Sequence, residues 1–288
     1  MLNNFEFIKA KNLEEVLQLL SNSSIKTKII SGGTDVIPGM MQSSSRFSNV
    51  KRLIDINAVS ELESVKETNN NVLIGSGLTF TDIVGNELLN QEFPLLCKAS
   101  SKVGSLQIRN RATIGGNIVN NAPCADSLSP LLCYDASLII QSKHLRKQIM
   151  LKDFLQKPYS TLLGDDEIIT FIQIPKLRKN YKGDFYKLGR RRGVAISRLS
   201  LSVLIYTENN IIKDLRIAGG AIAPVAIRFD EVENFSTSKK INKDLLITLS
   251  QKVGKTVLDI TGLRWSSDYK LPVVQQSLYQ LLRKILYN

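Results

Sequence analysis

The sequence is poor in the residues that build metal centres. Its three cysteines, Cys97, Cys124 and Cys133, are scattered without a C-x-x-C pair, and His144 is its only histidine. An iron–sulfur cluster ordinarily takes four cysteine ligands and a structural zinc four Cys or His ligands, so this chain alone is expected to hold no metal. His144 sits in Lys143-His144-Leu145-Arg146-Lys147. That run reads as a basic surface turn, which disfavours mechanisms built on a Ser–His or Cys–His pair. No run of about 20 apolar residues exists, so no membrane span is expected. The opening residues Met1-Leu2-Asn3-Asn4-Phe5-Glu6 lack the basic patch and apolar run of a secretory signal. The expected location is the cytoplasm.

What the chain does have is bulk and positive charge. Its 288 residues allow a sizeable core and are long for one domain. A hydrophobic content of 43% with 22% charged residues is that of an ordinary globular protein. The formal charge of +12 would suit a nucleic-acid or acidic partner. The charges are spread, however, and gather only at Arg109 with Arg111 and at residues 144–147, 176–182 and 190–192. Spread charge reads as a solvated surface. The arginine triplet 190–192 is a candidate contact for an acidic patch on a partner.

Periodicity divides the chain. Leu13, Val16, Leu17 and Leu20 follow helical spacing within residues 12–22, with Asn12 and Glu15 placed as in a capping box. A strand is expected over 25–30, then the loop Ser31-Gly32-Gly33-Thr34-Asp35, where Pro38 and Gly39 discourage a helix. Further strands are expected at 50–56, 72–75, 136–141 and 167–174, with a turn at 66–71. Helices are expected at 79–89 and 94–103. Residues 104–129 lack a clean period and read as a long, ordered loop of functional type. The basic stretch 176–183 marks the domain boundary, giving residues 1–176 and residues 177–288. Beyond it, 197–206 and 211–218 flank Asn209-Asn210 as an antiparallel hairpin. Two helices follow. Asn242 caps one that carries Leu245, Leu249, Val253 and Val257, and the other carries Val274, Leu278, Leu281, Leu282 and Ile285.

Two Gly-Gly segments carry the chemistry. Ile29-Ile30-Ser31-Gly32-Gly33-Thr34-Asp35-Val36 ends a strand, and Thr113-Ile114-Gly115-Gly116-Asn117 lies in the long loop. Glycine lets a backbone approach a ligand closely, and successive exposed N–H groups form a nest for phosphate oxygens. Thr34, Thr113 and Asn117 add side-chain donors. A dinucleotide diphosphate held between the segments fits this chemistry, although a glycine pair by itself is only a turn. Neither segment is the G-x-G-x-x-G of a Rossmann fold.

The wider pattern resembles a known family. Val103-Gly104-Ser105, Gln107-Ile108-Arg109-Asn110, Thr113-Ile114-Gly115-Gly116-Asn117 and Pro123-Cys124-Ala125-Asp126-Ser127 follow one another in order. With the first glycine segment, Glu167-Ile168-Ile169, Phe185-Tyr186-Lys187-Leu188, Ala195-Ile196-Ser197 and Gly219-Gly220-Ala221-Ile222-Ala223-Pro224, they resemble the FAD-binding (medium) subunit of xanthine, carbon monoxide and nicotinate dehydrogenases. The resemblance implies an α+β fold. A two-lobed FAD domain of the vanillyl-alcohol-oxidase type, with lobes of about 1–57 and 58–176, would precede a C-terminal α+β domain with a small antiparallel sheet and helices. It implies FAD as cofactor, with Ile29, Ile30, Ser31, Gly32, Gly33, Thr34, Asp35 and Val36 wrapping its diphosphate from one side. Thr113, Ile114, Gly115, Gly116 and Asn117 would do so from the other. Asp126 would contact the flavin–ribityl region, Ile169 would pack on the isoalloxazine face, and Lys187 would lie at the pyrimidine edge. Val103 stands where some members carry an aromatic near the adenine.

The partners implied are a molybdenum–pterin catalytic subunit, a subunit with two-iron clusters, and NAD or another electron acceptor. No catalytic residue of the hydroxylation itself is expected here, and the few cysteines suit a cluster-free subunit. A stand-alone flavin oxidoreductase of the same fold is the first competitor and would turn over substrate with NAD(P)H unaided. A basic nucleic-acid-binding module is the second, and it predicts steeply salt-dependent binding.

Overall fold

The computed structural model describes residues 5–22, 24–177, 180–189 and 196–287. Most of the N-terminal reading, part of the basic boundary stretch, the arginine triplet 190–192 and Ala195 lie outside the described residues. Contacts gather into two compact units. The first comprises Met1–Asn86, Ser105–Asn121 and Asp135–Lys176, and the second Glu87–Gly104, Ala122–Tyr134 and Leu177–Asn288. Among the described residues no helix is long and apolar enough to cross a membrane.

The first unit contains two main sheets. Strands Glu6–Lys9, Arg52–Asp55 and Thr27–Ile30 pair in parallel in that order. A parallel pair needs a crossover, and helix Leu13–Leu20 supplies it between the first and third. Its apolar stripe, Val16, Leu17 and Leu20, packs with Ile54, Ile56 and Leu62. Asn12 caps this helix by accepting from the Glu15 amide at 2.9 Å. The expected capping box is displaced by one residue, because the Glu15 carboxylate accepts from the Lys11 amide rather than from that of Asn12. The second sheet is antiparallel, ordered Val65–Glu67, Asn71–Gly75, Ile168–Pro175, Ser137–Gln141 and Arg146–Met150. His144 lies in the exposed turn between its last two strands.

The second unit is built on a four-stranded antiparallel sheet, ordered Lys182–Gly189, Ser197–Glu208, Ile211–Gly220 and Ile227–Arg228. The expected hairpin is its centre, and Asn209 and Asn210 turn it with φ of +50° and +61°. Strand Ser197–Glu208 is buried on both faces, and its alternation shows what covers each. Leu199, Leu201, Val203 and Ile205 join Leu249, Val253, Leu278 and Leu282 of helices Lys243–Thr261 and Ser267–Tyr287 in one core. Ser202, on the opposite face, donates to Ser129 Oγ at 2.9 Å. Ser129 belongs to the wholly buried helix Leu128–Cys133.

Three expectations about local structure are corrected. Helix Val36–Met41 forms despite Pro38 and Gly39. Pro38 is the third helical residue, where its missing N–H costs no intrahelical bond. Gly39 lies so close to the Phe47 ring that an added Cβ would sit 2.2 Å from it. The single helix expected over 79–89 breaks at Asn86 into Phe80–Gly85 and Glu87–Glu92. The long loop 104–129 contains helices Leu106–Arg109 and Ile114–Asn120 and the start of Leu128–Cys133.

Candidate functional site

The first glycine segment follows strand Thr27–Ile30 and turns into helix Val36–Met41. Gly33 has φ +71°, a conformation other residues adopt only with strain. A Cβ on Gly32 would lie 1.8 Å from the Arg111 carbonyl oxygen, so two backbones meet here with no room for a side chain. Asp35 precedes the helix without a side-chain capping bond. The amides of Gly32, Gly33, Thr34 and Asp35 donate to no acceptor among the described residues. They are the free donors that a nest for an anion requires.

The second segment differs. Thr113 is the N-cap of helix Ile114–Asn120, and its Oγ1 accepts from the Gly116 amide at 3.2 Å. Ile114 N–H donates to Leu78 O at 3.0 Å, Gly115 N–H to Ser76 O at 2.9 Å, and Asn117 N–H to Thr113 O at 3.0 Å. The amides of Ile114, Gly115, Gly116 and Asn117 are thus already used by the protein. The segment's glycines serve close approach instead. A Cβ on Gly115 would lie 2.6 Å from Ser76 Cβ, and one on Gly116 would lie 2.9 Å from Thr113 Oγ1.

Both segments border one cavity of about 450 Å³ in the first unit. Ile29, Ser31, Gly32, Gly33, Thr34, Asp35 and Val36 line it, as do Thr113, Gly115, Gly116 and Asn117. Ile30 and Ile114 are buried behind these walls. Ile169 reaches the cavity beside a bulge, where the register shifts between Ile169 and Phe171. A bulge inserts one residue and re-aims its neighbours, and Ile168 and Ile169 both line the space. Sequence reasoning missed Lys28, Arg46 and Tyr159, which also line it. No local pattern marks them, since Arg46 sits among serines and Tyr159 in a turn.

Asp126, Lys187 and Val103 belong to the second unit. The Lys187 ammonium donates to Asp126 Oδ2 at 2.6 Å and to the carbonyl of Lys102, beside Val103, at 2.7 Å. Ser197 donates from its hydroxyl to Asp126 Oδ1. The pair is sequestered, with side-chain exposures of 11% for Lys187 and 5% for Asp126. Burial pushes the Asp126 carboxyl up from its ordinary range, opposed by Lys187 and the Ser197 hydroxyl. Val103 is buried. Burial also pushes the Cys97 thiol up to about 11, which removes it as a nucleophile near neutral pH. Among the described residues no cluster of His, Cys, Asp and Glu could hold a metal ion.

An α+β chain with a row of free loop amides over a cavity is of the class that binds an anionic group such as a cofactor diphosphate. Comparison with known proteins specifies it. Residues 3–177 match the family described as the FAD-binding domain in molybdopterin dehydrogenase, and residues 184–285 match the CO dehydrogenase flavoprotein C-terminal domain. The glyceraldehyde dehydrogenase medium chain of Sulfolobus acidocaldarius is 31% identical, over 94% of this chain and 94% of that one. The xanthine dehydrogenase FAD-binding subunit of Escherichia coli O157:H7 is 30% identical, over 93% and 91%. A chain of carbon monoxide dehydrogenase from Hydrogenophaga pseudoflava shares the fold, with a TM-score of 0.92 at 24% identity, covering 100% of this chain and 99% of that one. This chain belongs to the family of FAD-binding subunits of molybdenum hydroxylase-type dehydrogenases, and its cofactor is FAD.

Proposed function

We propose that the cavity of the first unit holds FAD and that the chain passes electrons from an iron–sulfur partner subunit to NAD or another acceptor. Substrate is oxidised on a separate molybdenum–pterin subunit. The observation that carries the cofactor reading is the row of unpaired amides at Gly32, Gly33, Thr34 and Asp35 on a cavity wall kept clear of side chains. The residues fit the group. These amides and the Thr34 hydroxyl would bind diphosphate oxygens. Gly115 and Gly116 would keep the opposite wall free of side-chain bulk, and Ile169 would supply an apolar surface. Bound FAD supplies the capacity to accept electrons in pairs and release them singly or in pairs. In the second unit, Lys187 and Asp126 are the residues the family resemblance sets beside the flavin ring and ribityl chain, and Val103 the one near the adenine.

The purified chain should show a flavin spectrum, release FAD equimolar with protein and lack iron absorption. A tagged chain should co-purify with a molybdenum-containing and an iron–sulfur subunit. A colourless protein that takes up no added FAD would remove this reading. Gly116→Asp should lose flavin, because a carboxylate would enter the cavity opposite the free amides and repel phosphate. Stoichiometric flavin in that variant would place the cofactor elsewhere.

A further inference from the structure

The cavity of the first unit carries a cation that the glycine segments do not account for. Arg46 lies in the short turn Ser45–Phe47 and lines the cavity. Its guanidinium stands 4.2 Å from the centroid of the Tyr159 ring and 5.1 Å from that of Phe47. One terminal nitrogen, Nη1, donates to Asn120 Oδ1 at 2.9 Å. These partners are an amide and two rings, all neutral, so the full positive charge of Arg46 is left over.

The charges around it are mostly settled. Of the acids lining the cavity, Asp165 pairs with Lys26 at 2.9 Å and Glu167 with Lys147 at 2.5 Å. Among the described residues no ion pair engages Arg46, Lys28 or Asp35. The unsettled lining charges are therefore Lys28 and Arg46 against Asp35, a positive balance beside free amides. That combination suits an anion.

The groups holding Arg46 come from distant parts of the chain. Asn120 ends helix Ile114–Asn120, the helix that carries Gly115 and Gly116. Tyr159 lies in the turn between strands Leu155–Lys157 and Ser160–Thr161, with φ +61°, a region costly for an aromatic residue. Asn121 holds that turn. Its carbonyl accepts from the Tyr159 amide at 3.0 Å, and its Nδ2 donates to the carbonyls of Lys157 at 3.0 Å and Ser160 at 2.9 Å. The half-exposed ring of Tyr159 is thus held at the cavity against Arg46.

We propose that Arg46 is the cation that binds the diphosphate of FAD in this cavity, with Tyr159 and Asn120 as its positioning residues. This rests on the reading that the cavity takes FAD. A guanidinium suits the task because its planar fork matches two phosphate oxygens at once. Stacking on Tyr159 fixes its plane without spending its charge.

The test is equilibrium binding of FAD, ADP and riboflavin to the full-length chain stripped of flavin, over a range of ionic strength. Arg46→Gln should raise the Kd for FAD and ADP about tenfold, the loss of one charge-assisted contact. It should also flatten the salt dependence and leave riboflavin, which has no phosphate, unchanged. Arg46→Lys should recover part of the loss. Tyr159→Leu should weaken FAD and ADP but not riboflavin, and Tyr159→Phe, which keeps the ring under the guanidinium, should recover most of that loss. An Arg46→Gln chain with wild-type affinity and salt dependence would overturn the proposal, as would equal weakening of riboflavin, which marks a distorted cavity. A wild-type chain that takes up no FAD overturns the FAD reading instead. The ADP titrations then decide on Arg46, and ADP binding that is equal in both chains or absent from both overturns it too.

Discussion

Gly32→Ala should strip the chain of FAD and destabilise its first unit by about 3 kcal/mol, near the upper end of the usual cost of overpacking. The reason is geometric. An alanine Cβ would stand 1.8 Å from Arg111 O, 2.5 Å from Arg111 C and 3.0 Å from Ala112 Cα. All three are backbone atoms, so no rotamer change relieves the clash. The Ser31-Gly32-Gly33-Thr34-Asp35 turn and the 111–112 backbone would have to move apart. Those strands of backbone lead directly into the free amides on one wall and into Thr113, Gly115 and Gly116 on the other. Stability and cofactor binding should therefore fail together. Gly85→Ala is the control, because an added Cβ there meets nothing within 4 Å. It should be neutral, or stabilise by up to about 1 kcal/mol through the unfolded chain. Denaturant unfolding and flavin content of both variants decide the matter. A Gly32→Ala chain with a wild-type midpoint and full flavin would mean that the two backbones separate freely.

Elements with a long period were legible. Helix Lys243–Thr261 declares itself through the Asn242 cap and apolar residues at four-residue spacing, and Asn242 Oδ1 does accept from the Leu245 amide at 2.8 Å. The central hairpin of the second unit is equally plain, because Asn209-Asn210 readily adopts the positive φ such a turn needs. Short helices were not legible. Val36–Met41 and Ile114–Asn120 span about two turns, too few for a 3.6-residue period to emerge. They depend on caps and packing partners that lie elsewhere in the chain. The same limit applies to the site. Both glycine segments could be found as motifs, but which one keeps its amides free depends on the carbonyls of Ser76 and Leu78. Arg46, Asn120 and Tyr159 meet only once the chain has folded, and no spacing announces them. Lys187 and Asp126 could each be picked out through the family resemblance, yet nothing in the sequence joins two residues 61 positions apart into one ion pair.

That ion pair sets the second large effect. Lys187→Met should destabilise the chain by about 3 kcal/mol, the low end for removing one partner of a buried pair. Asp126 would remain 5% exposed, with only the Ser197 hydroxyl to answer its charge. Its pH dependence has a definite sign. Burial already raises the Asp126 carboxyl above its ordinary 3.8, so between 3.8 and the folded value the native state binds more protons than the unfolded one. Stability therefore falls as pH rises through that window. Without Lys187 the folded value rises further and the window extends upward, so the deficit of the variant should be smallest in acid and grow toward neutral pH. Lys187→Met/Asp126→Asn removes the stranded charge while keeping an acceptor for Ser197. It should return most of the lost stability and abolish the added pH dependence. If Lys187 also borders the flavin, as proposed, the single variant should lower the reduction potential of bound FAD, because a cation that favours the reduced form is gone. The two consequences separate in measurement. Unfolding at several pH values reads the ion pair, and a redox titration of the flavin reads the cation. A Lys187→Met chain as stable as wild type across the pH range would mean that Asp126 is neutral or reaches water. In that case an unchanged potential would leave Lys187 with no part in electron acceptance.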